Sequence, residues 1–460
     1  MKRAAIQGQQ LAAAVRFDPQ RRAASPEMRA AVASVITGVE EHEAAVTPRE
    51  RARSPQRQAN FHAAIEALVC NLAGLALDPF DRPLAVPRSN GVMWSGTRYA
   101  EPVYGQHFLD ALDLMADPPL GLIEELRRGF SFEAMGKQPS TIRPGLALSS
   151  YVAMQAVSWA DFKSIPAAEV IVLKAMKGPD DDTAEAISYD DSRWPDTWRK
   201  EVQEINNWLA DAPFWLLPDG REVERLAGVE PVNPTRRALR RVFNGAHRDR
   251  PGERWGRGGG RLFDGFWINM PKAERYRRLR IASAAHPEGE EVAAVDMRQF
   301  NPRAAYDLAL LPVPDGDLYD VRGDGSCRSG FKKLVNAMLS ANKRSLQWPD
   351  GLQSEFPAGT KLRDVVDEVE RFHAPIADKF WTGVGTRLAM IESTIVIDAI
   401  RLLIRQGVVA LPVHDAIWCA RSEAGRVTLS ISAAADQHWP DLRAQTEVEL
   451  PQANQLLRLI

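Results

Sequence analysis

The chain has 460 residues, of which 45% are hydrophobic and 26% charged, and its formal net charge is −2. This balance is ordinary for a globular protein, and the length suffices for about two or three domains. No stretch of about 18 apolar residues and no signal-peptide pattern stands out, so we expect no membrane partner. Three cysteines without CxxC spacing argue against a zinc site or a disulfide framework and favour a reducing, cytoplasmic setting.

The first half of the chain carries mainly helical patterns. Apolar spacing of the helical kind predicts helices over residues 61–77, 106–130, 146–176 and 198–209. We therefore expect residues 1–230 to form a mostly helical N-terminal region. The abundance of Arg and Ala hints at a GC-rich bacterial, plasmid or phage genome.

A basic segment covers residues 231–280, with fourteen Lys/Arg against four Asp/Glu, so the other residues together carry about −12. Such a concentration of positive charge is typical of a phosphate-binding groove. Its first part predicts a helix over Arg236–Phe243 with a basic stripe of Arg236, Arg237, Arg240 and Arg241. A glycine-rich stretch with Arg257 and Arg261 follows, where the backbone could approach a phosphate closely. A solvated, Arg-rich helix face is the alternative.

Two carboxylates lie within apolar runs that predict strands. Asp296 ends the run that starts at Val292, and Asp415 interrupts the run Leu411–Trp418. A charged carboxylate inside such a run is costly unless a cation or partner compensates it. Two strand-borne aspartates suit a two-metal phosphoryl-transfer site, with Mg²⁺ as the natural ion and Mn²⁺ as its substitute. The alternative for Asp415 is a plain turn between two strands, with the side chain facing water.

Between the two aspartates the pattern is helical. Helices are predicted over residues 301–311, 328–343, 362–372 and 385–406, and a strand hairpin over 408–419 precedes a helix over 420–438. Arg328 and Lys332 lie one turn apart on the second of these helices, so they share a face. Two cations at this spacing could neutralise a triphosphate, and Lys332 could also donate a proton near the leaving pyrophosphate.

The order of these features resembles the palm-and-fingers core of family A DNA polymerases and of single-subunit phage-type RNA polymerases. The resemblance covers residues 236–460 and rests on three motifs: Asp296 to Arg303, the Arg-x-x-x-Lys of Arg328 to Lys332, and Val413-His414-Asp415-Ala416. It implies an α+β right-hand polymerase with a small antiparallel-sheet palm and helical fingers. The palm would take residues 281–312 and 385–460, the fingers 313–384, and residues 1–230 would be thumb-like.

The resemblance also implies residue roles. Asp296 and Asp415 would be the metal ligands and, with Lys332, the catalytic residues. The incoming nucleotide would contact Arg328, Lys332, Asn301, Asn336 and Ser340. Template and primer would contact Arg303, Glu392 and His414, together with the arginines of the basic segment.

This chain departs from the motifs at the nucleotide pocket. Asn301 stands where the DNA enzymes usually carry a Glu that helps to exclude a ribose 2′-hydroxyl, and Asn336 and Ser340 replace two aromatic residues. Ala416 replaces the Glu of the DNA enzymes or the Ser of the RNA enzymes. We therefore expect relaxed sugar selectivity or a ribonucleotide preference.

The leading prediction is a template-directed nucleotidyltransferase that uses nucleoside triphosphates and a DNA or RNA template-primer, with DNA polymerase first and RNA polymerase or primase second. A second reading is a catalytically degenerate polymerase fold that only binds nucleic acid, in a plasmid, phage or defence system. A third, weaker reading is a metal phosphohydrolase in which His373 and His438 assist His414 and Asp415.

Overall fold

The computed structural model describes residues 14–78, 82–132, 136–155, 157–176, 184–217, 232–246 and 258–451. It is 46% helical and 17% strand, with small antiparallel sheets, so the predicted α+β class is confirmed at that level. The chain divides into two compact units, Met1–Glu169 with Pro218–Ala238 and Val170–Leu217 with Leu239–Ile460. This division differs from the boundary predicted at residue 230, because residues 170–217 belong to the second unit.

The first unit mixes strands and helices. Its strands are β1 (Val15–Arg16), β2 (Arg21–Ala23), β3 (Leu84–Val86), β4 (Ile123–Arg127), β5 (Phe130–Phe132), β6 (Gly136–Gln138), β7 (Ser140–Pro144) and β8 (Phe162–Ser164). Its helices are α1 (Pro26–Val46), α2 (Pro55–Gly74), α3 (Asn90–Met93), α4 (Gln106–Ala116) and α5 (Leu146–Gln155). The predicted helices 106–130 and 146–176 therefore end early, and strands take up their second halves.

Helix α2 is the core of the first unit. Ser54 caps its start by accepting a hydrogen bond from the Arg57 amide, and Pro55 fits the first turn, where no backbone donor is needed. Phe61, Ile65 and Leu68 are buried at helical spacing. Among the described residues, Pro55–Leu77 is long and apolar enough to cross a membrane, but most of it is buried in this core.

The second unit holds the remaining elements. Its strands are β9 (Ile171–Ala175), β10 (Phe214–Leu216), β11 (Arg240–Ala246), β12 (Gly259–Phe263), β13 (Leu279–Ile281), β14 (Val292–Met297), β15 (Ala410–Val413), β16 (Ala416–Ala420) and β17 (Thr446–Glu449). Its helices are α6 (Arg193–Asp211), α7 (Lys272–Arg278), α8 (Phe300–Leu308), α9 (Arg328–Ser340), α10 (Leu362–Phe372), α11 (Gly385–Arg405) and α12 (Ala424–His438). The helices predicted between the two aspartates, the hairpin and the helix after it are confirmed.

A four-stranded antiparallel sheet in the order β15-β16-β14-β17 organises the second unit. Val292 to Val295 are buried because β14 is a central strand, and helix α12 packs against both β14 and β16. Helix α11 buries Leu388, Ile395 and Ile400 and packs on α12. The sheet thus has an apolar interior, and its polar side chains gather where β14, β16 and β17 meet near the hairpin turn.

The predicted basic helix over Arg236–Phe243 is wrong. Residues 240–246 form strand β11, which pairs in parallel with β9 and in antiparallel with β12. Val242 and Phe243 favour a strand, and both are buried between these partners. Arg236 and Arg237 lie outside any helix and belong to the first unit, so the four arginines form no common stripe.

Candidate active site

Asp296 lies near the end of central strand β14, with neighbours on both sides. Across the sheet it is opposite Ala416 of β16 and opposite Glu447 of β17. Directly opposed residues of antiparallel strands project from the same face, so Glu447 lies on the face that carries Asp296. The carboxylates of Asp296 and Glu447 therefore lie on the same face of the sheet.

The Asp296 side chain is half-buried, and one of its carboxylate oxygens is left without compensation. Its Oδ1 atom is inaccessible to solvent and has no hydrogen-bond partner within the described residues. Burial raises the pKa of Asp296 to about 6, and the nearby Asp415 carboxylate contributes to the rise. The Met297 amide and the charge of Lys332 act in the opposite direction. An unpaired carboxylate oxygen next to a like charge is a strong candidate for a cation ligand.

Asp415 lies in the turn of the hairpin. Val413 and Ala416 pair with each other, so His414 and Asp415 form a two-residue connection between β15 and β16. His414 takes a left-handed backbone conformation with φ of 58°, and its exposed ring contacts Phe263 at 6.3 Å between centroids. The predicted turn is therefore confirmed, but Asp415 is half-buried and does not simply face water. The same turn brings Asp415 close enough to raise the pKa of Asp296.

The donor chemistry of this pair fits a hard divalent cation. Carboxylate oxygens are preferred by Mg²⁺, which completes its shell with water and substrate phosphates. Asp296 and Asp415 are the residues that would hold such an ion. Within the described residues, no group of three or more His, Cys, Asp or Glu side chains has metal-binding geometry.

Helix α9 brings its basic residues to the same region. Arg328 pairs with Asp317, with 2.5 Å between Nε and Oδ2, and its guanidinium lies 5.8 Å from the ring centroid of Tyr319. Lys332, one turn later, is exposed and lowers the pKa of Asp296 through its charge. Arg328 thus contacts the segment before α9, whereas Lys332 interacts with Asp296 through its charge.

Asn301 and Asn336, two residues predicted to contact the nucleotide, are hydrogen-bonded to each other. The Asn301 side-chain amide donates to Asn336 Oδ1 at 3.0 Å, which joins α8 to α9. The buried Tyr319 hydroxyl donates to the same oxygen at 3.4 Å. Ser340 does not join this group, because it lies at the far end of α9, beside Gly385 at the start of α11.

Two predicted nucleic-acid contacts are structural residues instead. Arg241 is buried, and its guanidinium donates to Glu201 at 3.2 Å, to the Gly260 carbonyl at 3.0 Å and to Thr394 at 3.3 Å. Arg303 is buried as well and donates to the Arg443 carbonyl at 3.1 Å. Neither guanidinium reaches the surface of the described structure, so their burial does not support the predicted contacts with nucleic acid, which stay predictions.

Three of the other residues predicted to contact nucleic acid form ion pairs within the protein, and a fourth is not described. Arg240 pairs with Asp264 near the surface, and Arg257 lies outside the described residues. Arg261 on β12 pairs with Glu392 on α11, with 2.8 Å between Nε and Oε2. Glu392 is buried and its carboxylate accepts from Arg261, so the predicted contact of Glu392 with nucleic acid gains no support.

The histidines of the phosphohydrolase reading are engaged elsewhere. His373 is buried, with Nδ1 3.2 Å from the Tyr306 hydroxyl and Nε2 3.0 Å from the Leu318 carbonyl. Burial lowers the pKa of His373 to about 4. His438 lies 3.2 Å from Asp398. His373 has no nitrogen left for a metal, which removes the main support for this reading.

Glu447 and Tyr319 could not be identified as site residues from the sequence alone. Alternation in Thr446-Glu447-Val448-Glu449 is typical of an edge strand, but its register against β14 depends on a strand far away in the sequence, where Asp296 pairs with Glu447. Tyr319 lies between two predicted helices, in a segment without periodicity. Only the folded chain places both beside the aspartates and α9.

Comparison with known proteins adds no assignment: no protein-family model and no curated protein matches the chain. The interpretation of this site therefore depends on its geometry and on the motif resemblance.

Proposed function

We propose that the protein is a template-directed nucleotidyltransferase, with DNA synthesis as the first candidate activity and RNA synthesis as the second. One observation carries the proposal: a solvent-inaccessible oxygen of Asp296 has no hydrogen-bond donor among the described residues, while the charges of Asp415 and Lys332 both affect the pKa of Asp296. A cation would satisfy this oxygen. Arg328 and Lys332 lie where a triphosphate could approach that cation.

Each residue then has a chemical task. Asp296 and Asp415 would hold two Mg²⁺ ions, with Mn²⁺ as a possible substitute. When bound, these ions would stabilise charge on the attacking and leaving oxygens. Lys332 and Arg328 neutralise the triphosphate, and Lys332 stabilises the departing pyrophosphate. In this proposal the sheet β15-β16-β14-β17 is the palm, and the helices from α9 to α10 are the fingers of a right-hand polymerase.

Sugar selectivity belongs to the same proposal. Asn336 Oδ1 already accepts from Asn301 and Tyr319, so the pocket is lined by neutral polar groups. A carboxylate or a large aromatic ring at these positions would crowd a 2′-hydroxyl more than the asparagines do. We therefore propose that ribonucleotides enter as well as deoxyribonucleotides. Strict use of dNTPs would contradict this part.

Primer extension tests the proposal. The wild-type protein is incubated with Mg²⁺ or Mn²⁺, dNTPs or rNTPs, and a primed DNA or RNA template, with an unprimed template in parallel. Extension is expected from the wild type and is lost in Asp296→Asn and Asp415→Asn, while primer–template binding persists. Asp378→Asn is the matched control, because Asp378 is exposed and pairs with its neighbour Lys379. Wild-type activity in either aspartate variant would contradict the assignment of Asp296 and Asp415 as catalytic residues.

One observation favours the degenerate reading as a second candidate. No described group of three or more acidic, His or Cys side chains is set up for a metal, and Ala416 supplies no third carboxylate from the turn. A protein of this kind would bind primer–template without any extension.

The predictions of a cytoplasmic location and a phage or plasmid source remain predictions from composition.

A further inference from the structure

Strand β12 and helix α11 approach each other very closely. Gly260 has a φ of 83°, and a Cβ atom built there would lie 2.9 Å from both Met390 Sδ and Ser393 Oγ. The Ser393 hydroxyl also donates to the Gly259 carbonyl at 3.2 Å. These two glycines therefore allow a strand to lie against a helix, where the sequence had suggested an open phosphate loop. The contact fixes the distance between the next residue, Arg261, and α11.

At this contact a buried carboxylate holds a partly exposed guanidinium. Glu392 is 2% exposed, whereas the Arg261 side chain is 33% exposed. Both Nε and Nη2 of Arg261 donate to Glu392 Oε2. Arginine presents its donors in a rigid planar fork, so fixing one edge also fixes the direction of the remaining N–H groups.

The position of Arg261 relative to the aspartates follows from the strand. Residues two apart on a strand share a face, and Arg261 and Phe263 are the half-buried residues on either side of the buried Leu262. The Phe263 ring contacts His414, which is adjacent to Asp415. Burial raises the pKa of Glu392 to about 7; Arg261 opposes this, and Asp415 adds to it. The ion pair thus lies beside the hairpin turn.

We infer that Glu392 is a positioning residue, which orients the Arg261 guanidinium toward a backbone phosphate of the nucleic-acid strand that lies along the His414–Asp415 turn. The inference rests on the proposed function, because it requires a bound strand. Charge-assisted contacts from arginine to phosphate are strong and directional, so a misdirected fork loses alignment as well as affinity. Glu392 acts through Arg261 and does not touch the strand.

A double-mutant cycle tests this inference. Binding of a labelled primer–template is measured by anisotropy across a range of KCl concentrations, and extension is measured in parallel. Arg261→Gln is expected to reduce the slope of log affinity against log salt by about one, as for one lost phosphate contact. Glu392→Gln is expected to slow extension, with partial rescue in Glu392→Asp. The double variant R261Q/E392Q should behave like Arg261→Gln alone, because Glu392 has then nothing to orient.

Arg401→Gln is the matched control. Arg401 lies on α11, the helix that carries Glu392. Its side chain is 30% exposed and pairs with Glu204 at 2.8 Å, so it resembles Arg261 in exposure and pairing. Its salt slope should equal that of the wild type. The double variant also guards against a folding artefact, since it leaves no unpaired charge at position 392.

Several outcomes would overturn the inference. Additive effects of the two substitutions would show that Glu392 acts independently of Arg261. Tighter binding in Glu392→Gln in both backgrounds would show that Glu392 merely repels the strand. If the wild type binds and extends but Arg261→Gln matches Arg401→Gln, only this inference fails. If the wild type binds no primer–template, the proposed function fails with it.

Discussion

Arg241 and Asp296 are both ionisable residues on strands of the second unit, and each has side-chain atoms that water does not reach, yet their surroundings are opposite. Arg241 donates to a carboxylate, a carbonyl and a hydroxyl and is flanked by the rings of Trp198 and Phe243. Asp296 has an oxygen to which no residue in the described part of the chain donates, and a second carboxylate lies nearby. The Arg241 guanidinium stabilises the fold through its hydrogen bonds, whereas the Asp296 carboxylate keeps an oxygen that could bind a ligand.

The difference teaches how a buried charge can be interpreted. Burial lowers the pKa of Arg241 to about 10, so the guanidinium stays charged at neutral pH with Glu201 beside it. Burial and the Asp415 charge raise the pKa of Asp296 to about 6, although the Met297 amide and the Lys332 charge oppose the rise. A satisfied buried charge is a structural element, whereas an unsatisfied one points to a ligand that completes it.

The largest effect on stability is expected at Arg241. Arg241→Met leaves Glu201 without its main partner, and removal of one member of a buried ion pair costs about 3–5 kcal/mol. Hydrogen exchange of peptides from β9 and β11 during urea unfolding would report this loss. Arg240→Gln is the control, since its pair with Asp264 is partly exposed, and such pairs contribute about 0–1 kcal/mol. Equal losses of stability in Arg241→Met and Arg240→Gln would contradict the view that Arg241 is a structural residue of special weight.

Asp296→Asn should do the reverse and stabilise the metal-free protein. The folded pKa of about 6 lies above the unfolded value of about 3.9, so the wild type loses stability as the pH rises through this window. The variant avoids that loss. It should exceed the wild type by about 1–3 kcal/mol above pH 6 and match it near pH 4.

Thermal unfolding in EDTA between pH 4 and pH 8 measures this gap. Added Mg²⁺ should stabilise the wild type but not the variant, because ligand binding to the folded state is linked to stability. A variant less stable than the wild type at pH 8 would mean that Asp296 is satisfied in the fold after all.

The smallest effect is expected at Glu447. Glu447→Gln removes an exposed charge opposite Asp296, and exposed charges interact weakly through water, so Mn²⁺ binding should weaken by at most about fivefold. Titration followed by electron paramagnetic resonance measures this affinity. Glu449→Gln, on the same strand and paired with Lys272, serves as control and should change nothing. A complete loss of binding in Glu447→Gln would make it a direct ligand.

Much of the second unit could be predicted from the sequence because its signals are local. Helix α10 begins at Leu362 and ends at Phe372 as predicted, since Val365, Val366 and Val369 mark one apolar face. The hairpin around His414 was visible because two apolar runs flank the turn. Asp415 lies in that turn, while Asp296 lies on strand β14 and Lys332 on helix α9, two elements that were also predicted from local patterns. The centre of the candidate site was therefore predictable.

The failures share a non-local cause. The arginines at 236, 237, 240 and 241 have helical spacing, but pairing of β11 with β9 and β12 overrides that spacing. Partners such as Glu201 for Arg241, or Glu392 for Arg261, come from distant segments. Whether a charge is satisfied or free could therefore not be predicted from its neighbours in sequence.

The most direct test of the central claim is the ratio of pyrophosphate released to nucleotide incorporated on a primed template with Mg²⁺. The proposed chemistry predicts one pyrophosphate for each nucleotide added by the wild type, and neither product from Asp296→Asn or Asp415→Asn. Release of inorganic phosphate without incorporation, or an unchanged ratio and rate in either variant, would contradict it.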